Sequence, residues 1–174
     1  MKKALSILLA LTLLLGSMMI FASCGGSFQL PEAPNGYQWY ENSDIYFAYP
    51  DNWSKSEDDG YAQLSASGGG NNIVVSVSDY DSTFDNMTVE TFRTQLLPML
   101  EQAGMTVSGE KVTHNTEKGY DIAVVTYKIT YMGISMYQTL YMFRVNNSIY
   151  SITVTELTRD SALIETVFDT LNVK

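Results

Sequence analysis

The chain has 174 residues, enough for one domain of ordinary size, and its 45% apolar and 17% charged residues exclude a disordered polyelectrolyte. Ten Lys and Arg side chains stand against 19 Asp and Glu, a formal charge of -9. This balance argues against a nucleic-acid-binding protein, which needs cations to displace the counterions of the phosphate backbone. The single cysteine excludes an intramolecular disulfide, and the single histidine excludes a His-rich metal site.

The N-terminus is typical of an export signal. Lys2 and Lys3 precede an apolar run over residues 4–22, and small residues follow it. The run is long enough to span a bilayer, so a permanent anchor helix is the alternative to a cleaved signal peptide.

Cys24 distinguishes the two interpretations. The stretch Phe21-Ala22-Ser23-Cys24 resembles the lipobox of bacterial lipoproteins, with Phe21 standing where the family has an aliphatic residue. The resemblance implies cleavage between Ser23 and Cys24, and fatty acyl chains such as palmitate on Cys24. Residues 1–23 are then a lipoprotein signal peptide. The mature chain keeps 8 basic and 19 acidic side chains, a formal charge of -11.

Residues 24–36 form the acylated N-terminus and a flexible tether rich in Gly and Pro, and residues 37–174 form a single domain. Four short strands are predicted at its beginning. They are Tyr37–Tyr40, Ile45–Tyr49, Ala62–Ser67 and Ile73–Val77. The triplet Gly68-Gly69-Gly70 predicts a flexible hairpin loop and not a phosphate-binding loop, because no Gly-Lys-Ser/Thr follows it.

The clearest helix begins at Thr88, the predicted N-cap, with Met87 and Phe92 placed as a hydrophobic staple. Apolar residues then recur at helical spacing until Gly104, which suits the C-terminal cap. Pro98 lies inside the pattern and predicts a kink or the start of a second short helix.

A meander of four strands and a last helix complete the domain. The strands are Met105–His114, Tyr120–Tyr131, Ile134–Val145 and Ser148–Thr155, and the helix is Ser161–Leu171 with Asp160 as its cap. This order predicts an α+β fold, an antiparallel β-sheet with packed helices. The helices need not cover both sheet faces, which would leave one face free for a partner.

The segment Ile45–Trp53 resembles a signature of the PsbP-like group, in which an aromatic-Pro step, one or two polar residues and Trp follow a strand. Here these are Tyr49-Pro50, Asp51-Asn52 and Trp53, and residues 167–173 are similar to the family's closing helix and short strand. The resemblance implies an α-β-α arrangement and a non-enzymatic accessory or binding role. Pro50 ends the strand, and Trp53 either covers the sheet end or serves as a ligand platform.

Few residues point to catalysis or metal binding. His114 has no G-x-S-x-G motif and no second thiol to serve, so we interpret it as an exposed residue at a strand end. The carboxylates of residues 79–85 are spaced as a calcium loop begins, but Phe84 occupies the sixth position, where an EF-hand needs Gly. We expect them, like residues 57–59, to be solvated, and we predict no catalytic residue, metal or cofactor.

Twelve tyrosines are the most unusual feature of the composition. They either pack beneath the helices or form an exposed aromatic face that binds a protein or a glycan. The residues proposed for such a surface are Trp39, Trp53, Tyr127, Tyr137 and Tyr141.

The sequence thus favours a lipid-anchored, non-enzymatic accessory protein on the extracytoplasmic face of the cell membrane, with an envelope protein or complex as its partner. Contact would be made through an open sheet face or the side that carries Gly68–Gly70. The alternative is a receptor for a small molecule or glycan, with an aromatic-lined cleft that contains Trp39 or Trp53.

Overall fold

The computed structural model describes residues 29–85 and 87–174, which contain ten strands. The strands are β1 Tyr37–Glu41, β2 Ile45–Pro50, β3 Ser54–Asp58, β4 Tyr61–Ser65, β5 Asn72–Asp79, β6 Thr106–Asn115, β7 Ile122–Tyr131, β8 Ile134–Val145, β9 Ser148–Glu156 and β10 Asn172–Val173. The α-helical segments are α1 Val89–Thr91, α2 Leu97–Gln102 and α3 Ser161–Thr170. A π-helical segment, Phe92–Leu96, joins α1 to α2. The predicted signal peptide, its cleavage site and Cys24 lie outside the described residues.

The strands form two antiparallel sheets. The large sheet has the order β3-β4-β5-β9-β8-β7-β6, and the small sheet has the order β1-β2-β10. The step from β5 to β9 is the one place in the large sheet where neighbours are not consecutive in sequence, because the helical segment and the meander are inserted there. The α+β class with an antiparallel sheet and packed helices is therefore confirmed.

Strand β3 was not predicted. All five of its residues are exposed, so it has none of the alternation by which a half-buried strand is recognised. It forms the edge of the large sheet by pairing with β4 from Ser54↔Ser65 to Asp58↔Tyr61.

The large sheet has a hydrophobic core on each face. On one face, side chains of β4, β5 and β7–β9 pack with the small sheet and with Leu163 and Val167 of α3. On the other face, side chains of β7–β9 pack with Met87 and Phe92 beneath the α1–α2 region. The adjacent residues Ile122 and Ala123 enter opposite cores, so both faces are covered at the start of β7.

The second face is left without this core towards β4 and β5. The register places Gln63 opposite Val74 and Val74 opposite Thr153, and all three side chains are partly exposed. The open part of the sheet is thus mainly polar, whereas the aromatic part lies beneath the helices and the small sheet.

Pro98 explains the π-helical segment. It has no N–H to donate, and in a regular α-helix its ring would meet the carbonyl group of residue 94. The chain widens one turn before it, so that Leu97 N–H donates to Phe92 O, five residues earlier, and α2 then begins with Pro98 in its first turn. The predicted interruption of the helix at Pro98 therefore takes the form of a wider turn followed by a second helix.

The predicted helix caps are present. Thr88 Oγ1 accepts the Thr91 N–H at 3.1 Å, and Asp160 Oδ1 accepts the Ala162 N–H at 3.0 Å. Within residues 29–85 and 87–174, no helix is both long enough and apolar enough to cross a bilayer.

Candidate functional site

The two tryptophans lie around the small sheet. Trp39 meets Tyr46 edge-on, with ring centroids 5.4 Å apart. Trp53 packs against the first core, and its backbone N–H donates to Pro50 O at 3.1 Å, which closes the turn that ends β2. Trp53 thus contacts the first core at the end of β2, and its part in a binding surface stays a prediction.

The three tyrosines proposed for a binding surface are separated by the fold. Tyr127 is 7% exposed and lies 4.9 Å from the Phe92 ring, between centroids. Tyr141 is 1% exposed on the opposite face, and its hydroxyl donates to Ile164 O at 3.1 Å. Burial raises the pKa of the Tyr127 hydroxyl to about 12 and also raises the pKa of Tyr141. Tyr137 is partly exposed and lines a cleft at the far end of the sheet.

His114 stands at the end of β6, as expected, and connects two segments. Its Nδ1 lies 2.8 Å from Asp121 Oδ2, and its Nε2 lies 2.8 Å from Met87 O. Both partners are acceptors, so both ring nitrogens can donate only when the imidazole is protonated. The Met87 carbonyl and the Asp121 carboxylate therefore raise the pKa of His114.

The acidic segment around residues 79–85 is divided among different contacts. Asp79 lies in β5 opposite Ser148, and Asp85 accepts a hydrogen bond from the Tyr80 hydroxyl. Among the described residues, no three His, Cys, Asp or Glu side chains come together in an arrangement that could hold a metal ion.

The Gly68–Gly70 loop joins β4 to β5, and all three residues have positive φ. A Cβ at Gly70 would lie 2.4 Å from Leu157 Cδ1. The Asn71 Oδ1 accepts the Leu157 N–H at 3.0 Å, so the loop is packed against the end of β9. The sequence indicated the hairpin but not this close approach.

A cleft of about 550 Å³ lies between the β1–β2 turn and the β3–β4 hairpin, and we call it the acidic cleft. Its walls carry five carboxylates, and its floor is mainly aromatic and aliphatic. The wall carboxylates are Glu41, Asp44, Glu57, Asp58 and Asp59, and the floor is Tyr40, Val75, Val77 and Tyr150. Residues 41–44 and 57–59 are distant in sequence, and the pairing of the strands brings them together.

The wall at the β1–β2 turn is held by local hydrogen bonds. Asn42 Oδ1 accepts the N–H groups of Asp44 and Ile45, both at 2.9 Å, which fixes the turn. Asp44 Oδ2 accepts the Ser43 hydroxyl and the Tyr150 hydroxyl, both at 2.6 Å. These two donors lower the pKa of Asp44, whereas burial and the Asp44 carboxylate raise the pKa of Tyr150 to about 12.

The charges of the acidic cleft are only partly balanced. Lys174 Nζ lies 3.2 Å from Glu41 Oε2, and Lys55 Nζ lies 3.2 Å from Glu57 Oε2. Asp58 and Asp59 are exposed at the tip of the hairpin and belong to none of the described ion pairs. Chemically, the arrangement suits a cationic group that places its charge among the carboxylates and its apolar part on the tyrosine floor.

Comparison with known proteins shows which solved structures share this fold. No family model and no curated protein matches the chain. Among solved structures, the cyanobacterial PsbP protein (CyanoP) of Synechocystis is similar over 88% of this chain and 99% of its own, with a TM-score of 0.66 and 14% identity. The Ran-binding protein Mog1p of Saccharomyces cerevisiae is similar over 79% of this chain and 95% of its own, with a TM-score of 0.54 and 12% identity.

At these identities the likeness concerns the fold alone. It agrees with the resemblance carried by residues 45–53 and with the two-sided packing of the large sheet. The described part of this chain therefore has the PsbP-like fold.

Proposed function

We propose that this chain is a non-enzymatic accessory protein, anchored by lipid on Cys24 to the extracytoplasmic face of the cell membrane, that binds another envelope protein or complex. The observation that carries the proposal is the order of the parts. A basic and apolar export signal, a lipobox-like Phe21–Cys24 and a short tether precede a domain of PsbP-like fold. Two solved proteins of this fold are described as a PsbP protein and a Ran-binding protein, which supports a binding role.

The charge of the mature chain favours a protein partner over direct contact with lipid. A domain with a formal charge of -11 is repelled by an anionic membrane surface, so the acyl chains must hold it there. The same charge attracts a partner with a basic surface and accelerates the encounter.

The acidic cleft is the surface on which we expect a basic partner to make contact. It combines five carboxylates with a tyrosine floor, and it is the largest of the clefts described for residues 29–85 and 87–174. The receptor alternative requires Trp39 or Trp53 in a cleft, and neither residue lines this one.

The anchor is tested by expression of the chain in a bacterium fed with labelled palmitate. We expect the wild type and a Ser27→Ala control to carry the label and to remain with membranes after a high-salt wash. Cys24→Ala removes the acylated thiol, so it should carry no label. Labelling of Cys24→Ala equal to that of the wild type would contradict the lipid anchor.

The partner is tested by chemical cross-linking in intact membranes. We expect the wild type to give a discrete cross-linked complex that Asp58→Asn/Asp59→Asn weakens and that a matched pair on other exposed sites, Glu101→Gln/Glu117→Gln, leaves intact. Complex formation should fall as salt is raised, because exposed charges are screened. The same yield from both double variants would contradict contact at the acidic cleft, and the absence of any discrete complex would contradict the accessory role.

A further inference from the structure

Most cations of the mature chain are already engaged. Three pair with carboxylates, and two donate to backbone carbonyl groups. The pairs are Lys55–Glu57, Arg93–Glu110 and Lys174–Glu41, and the donors to carbonyl groups are Lys118 to Asp169 and Arg144 to Asn146. The other three are Lys111, Lys128 and Arg159, which belong to none of the ion pairs in residues 29–85 and 87–174.

These three cations lie at one end of the large sheet. Lys128 and Arg159 line the same cleft of about 250 Å³, together with Ser108, Thr126, Tyr137 and Thr139. We call it the basic cleft. Lys111 stands directly opposite Thr126 in the β6–β7 register, so it belongs to the same sheet face and extends the positive charge beyond the cleft.

The backbone explains why a cleft exists here. The β6–β7 register shifts between Ser108 and Lys111, and Gly109 has a φ of +68° in that irregularity. No atom lies within 4 Å of the position that a Cβ of Gly109 would take. The first core also stops before this point, since Thr126 and Lys128 are polar where Ile122 and Val124 of the same strand face are apolar.

Thr139 adds a hydroxyl group to the basic cleft. It is 4% exposed and lines the cleft, and its hydroxyl is not among the buried polar atoms of the described residues that lack a hydrogen-bond partner. A ligand oxygen in the cleft can accept a hydrogen bond from it.

Two acids stand close to the lining residues in register or sequence, Glu156 opposite Tyr137 and Asp160 next to Arg159. Glu156 is buried and accepts the Asp160 N–H at 3.2 Å. It does not line the cleft; burial raises its pKa, and the charge of Arg159 opposes that rise in part. Glu156 therefore offsets only part of the positive charge that Lys128 and Arg159 bring to the cleft.

We propose that the basic cleft binds a phosphate group, as free phosphate or as a small phosphate ester. Phosphate offers several oxygens in a tetrahedral arrangement, which suits the charged and hydroxyl donors that four separate segments present here. The cleft is smaller than the roughly 300–1,000 Å³ of sites for drug-sized ligands, so it suits a small group. This site lies away from the acidic cleft, at the β6 side of the sheet, and its occupation does not depend on Cys24 or on a protein partner.

The test is a calorimetric titration of the full chain, kept in a nonionic detergent and a phosphate-free buffer, with inorganic phosphate. We expect saturable binding by the wild type. Lys128→Gln and Arg159→Gln should each bind about tenfold more weakly, because each removes a charge-assisted hydrogen bond. The matched control, Lys55→Gln, removes one cation at the opposite edge of the sheet and should bind as the wild type does.

Thr139→Val removes the hydroxyl group that lines the cleft at nearly constant volume, and it should weaken phosphate binding without lowering the melting temperature. A parallel titration with glycerol 3-phosphate assigns the source, because tighter binding of either ligand names the form that the cleft prefers. The proposal is overturned if the wild type shows no saturable binding at millimolar phosphate, or if Lys128→Gln and Arg159→Gln bind as tightly as Lys55→Gln.

Discussion

Removal of the Tyr150 hydroxyl tests the contact that joins the small sheet to the large one at the acidic cleft. This hydroxyl donates to Asp44 Oδ2 at 2.6 Å, and Tyr150 itself is buried. A hydrogen bond to a charged group contributes about 1.5–3 kcal/mol. Because Asp44 is only half-buried, water replaces part of the lost bond, and we expect Tyr150→Phe to lower the free energy of unfolding by about 1–2 kcal/mol.

The pH dependence of that loss follows from the lowered pKa of Asp44. A carboxyl group whose pKa is lower in the folded than in the unfolded chain stabilises the fold above its unfolded pKa, near 3.8. This stabilisation disappears as the pH falls through the folded pKa. The difference between wild type and Tyr150→Phe should therefore be full at neutral pH and should shrink in acid.

The assay is urea unfolding followed by tryptophan fluorescence, at about pH 6 and about pH 3. Tyr61→Phe is the control, because Tyr61 is exposed and its hydroxyl donates to the neutral Gln63. Asp44→Asn completes a double-mutant cycle with Tyr150→Phe and isolates the pair. A loss that is equal at both pH values, or a coupling free energy near zero, would refute the charged hydrogen bond as its cause.

Three further predictions concern other parts of the molecule. Phe92→Ala should lower the free energy of unfolding by about 3–5 kcal/mol, whereas Met99→Ala, 66% exposed on the same helical region, should change it by less than about 0.5 kcal/mol in urea unfolding. NMR titration should give His114 a pKa above 6.5 that Asp121→Asn lowers, and the stability that His114 adds should be present below pH 6.5 and be lost as the pH rises through the folded pKa. Met132 is 83% exposed and has a φ of +50°, a conformation that Asn tolerates better than Met. Met132→Asn should therefore stabilise the folded protein by about 0.5 kcal/mol, measured as a higher melting temperature.

The elements with an apolar period could be predicted from the sequence. Strand β8 has the predicted bounds, Ile134–Val145. The Thr88 and Asp160 caps could be predicted because a hydroxyl or carboxylate before an apolar stripe is a local signal in the sequence, and both caps are present. Strand β3 could not be found in this way, since its order depends on hydrogen bonds to β4 and not on burial of its own side chains.

The clefts depend on contacts between distant segments. The acids at residues 57–59 were visible in the sequence, but their position opposite Asp44 results from the packing of the small sheet on the large one. Lys128 and Arg159 are 31 positions apart and meet because β7, β8 and β9 are neighbours. No pattern of a single strand or helix contains that information.

The large sheet is open, so both of its outer strands have a free edge that could pair with another copy of the chain. Strand β3 carries Lys55, Glu57 and Asp58, all exposed, and β6 is broken by the irregularity at Gly109. Copies that share one membrane surface meet far more often than copies in solution. If the chain is anchored as proposed, the charges on β3 and the irregular hydrogen bonding of β6 would keep neighbouring copies from joining into a continuous sheet.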